Sequence, residues 1–202
     1  MDISAYILIL ISTIFINNFI LARFLGLCSF IGVSKNTVPA VSMGLAVTFV
    51  TTMASIITWL IYYLVLAPYH LEYLRTLSFI LVIASFVQFA EIVIQKKFPG
   101  LYKIFGIYLA LITANCAVFG VAVLNTDTFF LNGVAVAGSF IKSVLQGLGA
   151  GLGFTLAMLL MSGIRERLEY AEVPRSLKDV PITFIIASLM SMAFLGFSGF
   201  KI

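Results

Sequence analysis

Cys28 and Cys116 are the only thiols in the chain, and each begins the same local pattern. The first lies in Leu25-Gly26-Leu27-Cys28-Ser29-Phe30-Ile31-Gly32-Val33. The second lies in Thr113-Ala114-Asn115-Cys116-Ala117-Val118-Phe119-Gly120-Val121. Both read Cys, small, apolar, apolar, Gly, Val. Thiolates bind soft metals and iron–sulfur clusters, and such sites take four protein ligands. Two thiols are half of that set, so a metal held here needs another chain for the rest. The plain alternative is a pair of buried, inert thiols, the usual state of free cysteine.

No second chemistry competes with the cysteines. His70 stands alone, with no acidic or thiol neighbour in sequence, and reads as structural. Gly147, Gly149, Gly151 and Gly153 lack a preceding strand and the G-x-G-x-x-G spacing, so they are no nucleotide loop. Small residues four apart instead let helix backbones approach closely. There is no nucleophile–base constellation and no acid pair, so the chain holds no complete active site.

Several polar groups sit close to the cysteines in sequence. Asn17 and Asn18 precede Cys28 by about three turns, and Asn115 directly precedes Cys116. An amide at membrane depth is costly unless bonded. These three either bond backbone freed by helix breaks, or donate to thiolate sulfur or line an ion path. Arg23 either snorkels to the interface or offsets the charge of a thiolate-bound cluster. Glu91 reads as a surface ion pair with Lys96 or Lys97, or as an ion-coupling site. Arg165-Glu166-Arg167-Leu168-Glu169-Tyr170 keeps helical spacing up to Pro174 and reads as a solvated helix end or a docking site.

The elements that must position these groups follow from composition. The 202 residues are 62% hydrophobic and 10% charged, against about 25% charged in soluble domains. This is an integral membrane protein with a single membrane domain over residues 1–202. The apolar start at Met1 has no basic region and no small-residue cleavage site, which argues against a removable signal. Six apolar segments run over Ile3–Val33, Val38–Leu66, Leu74–Ile94, Tyr102–Leu124, Val134–Ile164 and Pro181–Phe200. All six are expected to be helices. The first would be roughly 45 Å long if continuous, more than a bilayer core needs. Asn17-Asn18, Arg23 and Gly26 interrupt it, so a break is expected there.

The two halves, about 1–98 and 99–202, look alike. Gly44-Leu45-Ala46-Val47-Thr48 parallels Gly151-Leu152-Gly153-Phe154-Thr155, and Ser78-Phe79-Ile80 resembles Thr183-Phe184-Ile185. Three spans per half force the second half to enter from the opposite face. The expected fold is therefore all-α: six transmembrane helices as two inverted three-helix repeats, with helices one and four broken or halved. Equivalent positions of inverted repeats meet near the midplane, so Cys28 and Cys116 should lie near each other. Lys35, then Lys96, Lys97 and Lys103, then Arg165, Arg167, Arg175 and Lys178 fall in the odd-numbered connections. Those connections are expected in the cytoplasm, with both termini outside. The net charge of +4 is thus spent on topology rather than on nucleic acid.

At these residues the chain resembles a known family. Asn17-Asn18-Phe19-Ile20-Leu21-Ala22-Arg23-Phe24-Leu25-Gly26-Leu27-Cys28, then Gly32-Val33-Ser34-Lys35, is similar to the A-type membrane subunits of the Rnf complex, an ion-translocating ferredoxin–NAD oxidoreductase of prokaryotes. Tyr73–Leu77, Ile112–Val118, Ile164–Leu168 and Phe194–Gly199 match too, so the resemblance covers nearly the whole chain. The related E-type subunits of the sodium-pumping NADH–quinone reductase share the cysteine stretches. The Asn17-Asn18 pair and the last segment favour the Rnf family.

The resemblance implies the missing ligands. Cys28 and Cys116 would bind one [2Fe–2S] cluster jointly with two cysteines of a homologous E-type Rnf subunit, inserted with opposite orientation. It also implies neighbouring subunits that carry flavins and iron–sulfur clusters, a place in the cytoplasmic (inner) membrane, and electron relay coupled to Na⁺ or H⁺ movement. The competing readings are a secondary transporter and a structural membrane anchor.

Overall fold

Glycines and hydroxyls mark the centre of the molecule, because only small side chains let two long helices touch along their backbones. The computed structural model describes residues 3–69, 72–97, 111–131, 134–135, 138–170, 174 and 180–196. Helix α1 (Ile3–Ile11) runs into a π turn at Ser12–Ile16. After an irregular stretch come the short α2 (Leu27–Val33) and the long α3 (Thr37–Ile61), which continues through a second π turn. Then follow α4 (Arg75–Lys97), α5 (Cys116–Phe129), α6 (Ser139–Glu169) and α7 (Val180–Leu195).

Four helical stretches among the described residues are long and apolar enough to cross a membrane: Thr37–Tyr69, Arg75–Ile92, Leu111–Phe129 and Ser139–Glu169. Tyr6–Ile16 and Val180–Leu195 are apolar but shorter. Each stretch overlaps one of the six apolar runs, four reach spanning length, and the start of the fourth run, 102–110, lies outside the described residues. The first segment breaks as expected, between Ile16 and Leu27. The fourth breaks at Ala114-Asn115, where helix gives way before Cys116.

Some boundaries differ from the sequence reading, for local reasons. The fifth segment does not begin as helix at Val134. Val134–Ala135 pairs antiparallel with Phe130–Leu131 in a short ladder, and Gly138 turns the chain at φ +75° into α6. α5 runs on past Leu124 to Phe129, with Thr126 bonding back to Val123 O at 2.7 Å. His70, Lys103, Arg175, Lys178 and the end of the sixth segment lie outside the described residues.

The glycines of α6 work on two faces. Gly151 meets Thr48 of α3: a Cβ there would fall 2.5 Å from the Thr48 Cα. Gly44 of α3 meets Thr155 of α6, where a Cβ would fall 2.7 Å from Cγ2. Gly147 lies against Ser55 in the same seam, so α3 and α6 pack antiparallel. The other face of α6 receives the first segment, with Gly149 against Thr13 and Gly153 against Ile14 and Asn18. Packing is therefore the role of this stripe.

The seam is reciprocal. Thr48 Oγ1 donates to Gly44 O at 2.7 Å, and Thr155 Oγ1 donates to Gly151 O at 2.9 Å. The two hydroxyl oxygens face each other at 3.2 Å. Around the seam lies one apolar core that includes Phe30, Met43, Phe79, Phe154, Met158 and Met161, all buried. One end of the bundle carries aromatics. Trp59 stacks on Tyr63 and donates to Ser139 Oγ at 3.2 Å, while Tyr62 meets Phe130 edge-on. At that same end Arg75 pairs with Asp127 at 2.5 Å.

Candidate functional site

The two broken stretches face each other, and Asn18 builds the first of them. Its side chain is fully buried. Nδ2 donates to Ile14 O at 3.1 Å and to Gly153 O at 2.9 Å, and Oδ1 accepts from Ile20 N at 3.1 Å. One amide thus replaces the helical bonds that the break removes and ties it to α6. Ser191 of α7 donates to Leu21 O at 2.6 Å and holds the same stretch from another side. Asn18→Ala should destabilise the chain by about 3 kcal/mol, since buried groups left unpaired cost roughly 1–3 kcal/mol each. Loss of folded protein in graded denaturant, with Asn17→Ala as the control, checks this.

Asn17 is exposed and reaches only Ser12 Oγ, at 3.3 Å. The chain then turns through Phe24 at φ +56° and Gly26 at φ +84° and enters α2, whose second residue is Cys28. Glycine suits position 26, because a side chain in the left-handed region is strained. The space is also closed: a Cβ on Gly26 would meet the Phe154 ring at 3.0 Å and Asn115 Oδ1 at 3.3 Å.

Asn115 caps the second break. It precedes α5 in extended geometry, and its Oδ1 accepts from Ala117 N at 3.0 Å. Its Nδ2 is buried and without a partner. Cys116 is the first residue of α5, and the Gly26 N–H donates to its Sγ at 2.8 Å. Glycines four residues past each cysteine complete the joint: Gly120 lies against Leu25 and Gly32 against Leu111. The structure therefore brings the two cysteine stretches together, as the half-chain likeness predicts. Both thiols are free, and this chain leaves both exposed.

Among the described residues no group of three or more His, Cys, Asp or Glu could hold a metal ion. Two free, exposed thiols on stretches that meet at the Gly26–Cys116 contact could supply at most half of a tetrathiolate site. Of the remaining expectations, Asn18 and Asn115 bond freed backbone. Arg23 lies over the Phe19 ring at 5.9 Å. Glu91 is half-buried in α4.

One residue escaped the sequence reading, and the bonds of two others did. Asn125 is buried in α5 and its Nδ2 donates to Ser55 Oγ at 3.1 Å, across to α3. The signal was an amide inside an apolar run. Arg165 and Glu166 reach back to the joint between α2 and α3, which spacing along one helix could not disclose.

A model of the family described as "Rnf-Nqr subunit, membrane protein" matches residues 6–201. The chain belongs to the Rnf-Nqr family. It is 52% identical over 196 residues to the A-type subunit of the Na(+)-translocating ferredoxin:NAD(+) oxidoreductase complex of Acetobacterium woodii, covering 97% of this chain and 98% of that one. It is 47% identical over 196 residues to the A-type subunit of the proton-translocating ferredoxin:NAD(+) oxidoreductase complex of Clostridium ljungdahlii, covering 97% of each. The A-type subunit of the ion-translocating oxidoreductase complex of Vibrio vulnificus is 52% identical over 194 residues, covering 96% of this chain and 97% of that one. As an Rnf-Nqr protein it is a membrane protein, in keeping with its long apolar helices.

Proposed function

We propose that this chain is the A-type membrane subunit of an ion-translocating ferredoxin:NAD oxidoreductase complex, and that it relays electrons across the cytoplasmic membrane. Cys28 and Cys116 supply two of the four thiolates of a [2Fe–2S] cluster, and a homologous, oppositely inserted subunit supplies the others. The observation that carries this reading is the Gly26 N–H to Cys116 Sγ contact, which joins the two cysteine stretches on a face the chain leaves uncovered. The bound cluster would accept and release one electron at a time. The chain's own part is to fix two sulfurs, to direct the Gly26 N–H at one of them, and to bury the Asn115 amide beside it. Hydrogen bonds to sulfur and burial set the potential of such centres.

The six apolar segments form two inverted three-helix repeats in this reading. The reciprocal Gly44–Thr155 and Gly151–Thr48 contacts support it, since a two-fold relation makes each contact return the other. Both termini face outward. Relatives carry both sodium and proton in their names, so the coupled ion here is either Na⁺ or H⁺.

Iron and acid-labile sulfide in the purified complex test the proposal. Cys28→Ser and Cys116→Ser should each remove the membrane-bound [2Fe–2S] signal and cut ferredoxin-dependent NAD reduction by at least about a hundredfold, as expected when a relay loses a ligand outright. Full activity in both variants would leave a membrane anchor as the better account. Colourless protein that catalyses solute uptake in vesicles would point to a transporter.

A further inference from the structure

Arg165 and Glu166, adjacent near the end of α6, each take hold of a different helix end. Arg165 Nη1 donates to Ile31 O at 2.8 Å and to Ser34 Oγ at 2.9 Å. Ile31 lies in the last turn of α2, and Ser34 is the residue that closes it. Glu166 Oε1 accepts from the Thr37 N–H at 2.9 Å and also from the Thr37 hydroxyl. Thr37 opens α3, and Asn36 before it makes no side-chain cap bond. A cation therefore sits at the carbonyl end of one helix and an anion at the N–H end of the next. Both placements are favourable, because a helix carries partial negative charge at its C-terminus and partial positive charge at its N-terminus.

α2 needs such support. It has seven residues, too few for a helix to hold itself. At its start the Gly26 N–H is engaged by Cys116, and the Ser29 hydroxyl donates to Gly26 O at 2.9 Å. At its end stands Arg165. Cys28 lies between the two anchors, about one turn before Ile31. α6 is itself fixed to α3 through Gly151 and Gly147, so the clamp refers α2 to the closely packed α3–α6 pair.

We infer that Arg165 and Glu166 are positioning residues for Cys28: through α2 and its joint with α3, they hold the Cys28 sulfur in register with Cys116. The inference rests on reading Cys28 as a cluster ligand, although the clamp itself stands without it. Within this helix end Arg165 and Glu166 bond to the chain itself, while Arg167, Glu169 and Tyr170 are exposed.

The test uses the whole complex with Arg165→Ala, Arg165→Lys and Glu166→Gln, and Arg167→Ala as the control on an exposed neighbour. Hydrogen exchange of peptides covering residues 27–33 should quicken about tenfold in Arg165→Ala, because local opening becomes easier when charge-assisted bonds are lost. Peptides covering residues 116–129 and the Arg167→Ala complex should stay at the native rate. In the same samples the [2Fe–2S] resonance should broaden and its midpoint potential should move, with Arg165→Lys recovering part of the native value. Exchange over residues 27–33 that stays native in both Arg165→Ala and Glu166→Gln would overturn the inference, and so would a resonance and potential that stay native while exchange quickens. Quickened exchange in a complex whose native form contains no iron would instead keep the clamp and overturn the cluster. Should Arg165→Ala fail to assemble, Arg165→Lys and Glu166→Gln carry the same comparison.

Discussion

Gly151→Ala is expected to remove folded protein from the membrane almost completely. The added carbon would lie 2.5 Å from the Thr48 Cα and 2.9 Å from its Cβ. Backbone cannot rotate aside as a flexible side chain would, so α3 and α6 must part. Overpacking a close-fitted core typically costs about 1–3 kcal/mol, and the upper end or more applies where the obstacle is main chain. The separation also pulls on the neighbouring contacts at Gly44 and Gly147. Gly163 is the matched control: it lies on the same helix with nothing within 4 Å of its added carbon. Gly163→Ala should be neutral or gain up to about 1 kcal/mol from helix propensity. Yield of monodisperse complex from membranes measures both, and a Gly151→Ala yield within about twofold of native would contradict the close-approach argument.

Gly26→Ala is expected to spare insertion but empty the proposed cluster site. Its backbone is left-handed at φ +84°, which costs a residue with a side chain roughly 1–2 kcal/mol. Its added carbon also meets the Phe154 ring at 3.0 Å, and Phe154 is buried and cannot yield freely. Relief moves the Gly26 N–H away from Cys116 Sγ. The Gly44, Gly147 and Gly151 contacts that hold α3 to α6 lie outside this joint. Iron per complex should therefore fall by at least about tenfold while the subunit stays present, since ligand geometry and its supporting bonds govern metal retention. Native iron content in Gly26→Ala would show that the N–H is incidental.

The features readable in the chain were those written in residue type. Two cysteines in matching stretches, amides before each, and glycine at the fourth place all pointed to one joint. The fold places Gly26, Asn115 and Cys116 there together. The first break was readable because Asn17, Asn18 and Gly26 are poor helix residues inside a run too long for one span, and the second followed from the likeness of the halves. The stripe of glycines on α6 announced close packing, yet not its partner. Nothing local says that Gly151 meets Thr48 while Gly153 meets Asn18, since that depends on which face each neighbour takes.

The clamp was hidden for a related reason. Arg165 and Glu169 have the spacing of a pair along one helix, which invites a solvated reading. Arg165 instead reaches residues far earlier in the chain, Ile31 and Ser34, and Glu166 reaches Thr37. The start of the fifth segment was misplaced because Val134 is as apolar in a β pair as in a helix. Hydropathy alone cannot tell the two apart over two residues.

The facing threonines of the central seam carry an arithmetic of hydrogens. Thr48 and Thr155 own two hydroxyl protons between them, but three contacts call for one: the carbonyls of Gly44 and Gly151, and the gap between the two oxygens. No static assignment fills all three. When both hydroxyls donate to their carbonyls the halves match and the gap between the oxygens goes unfilled; when one turns to bridge that gap, a carbonyl is given up and the halves differ by a single hydrogen atom.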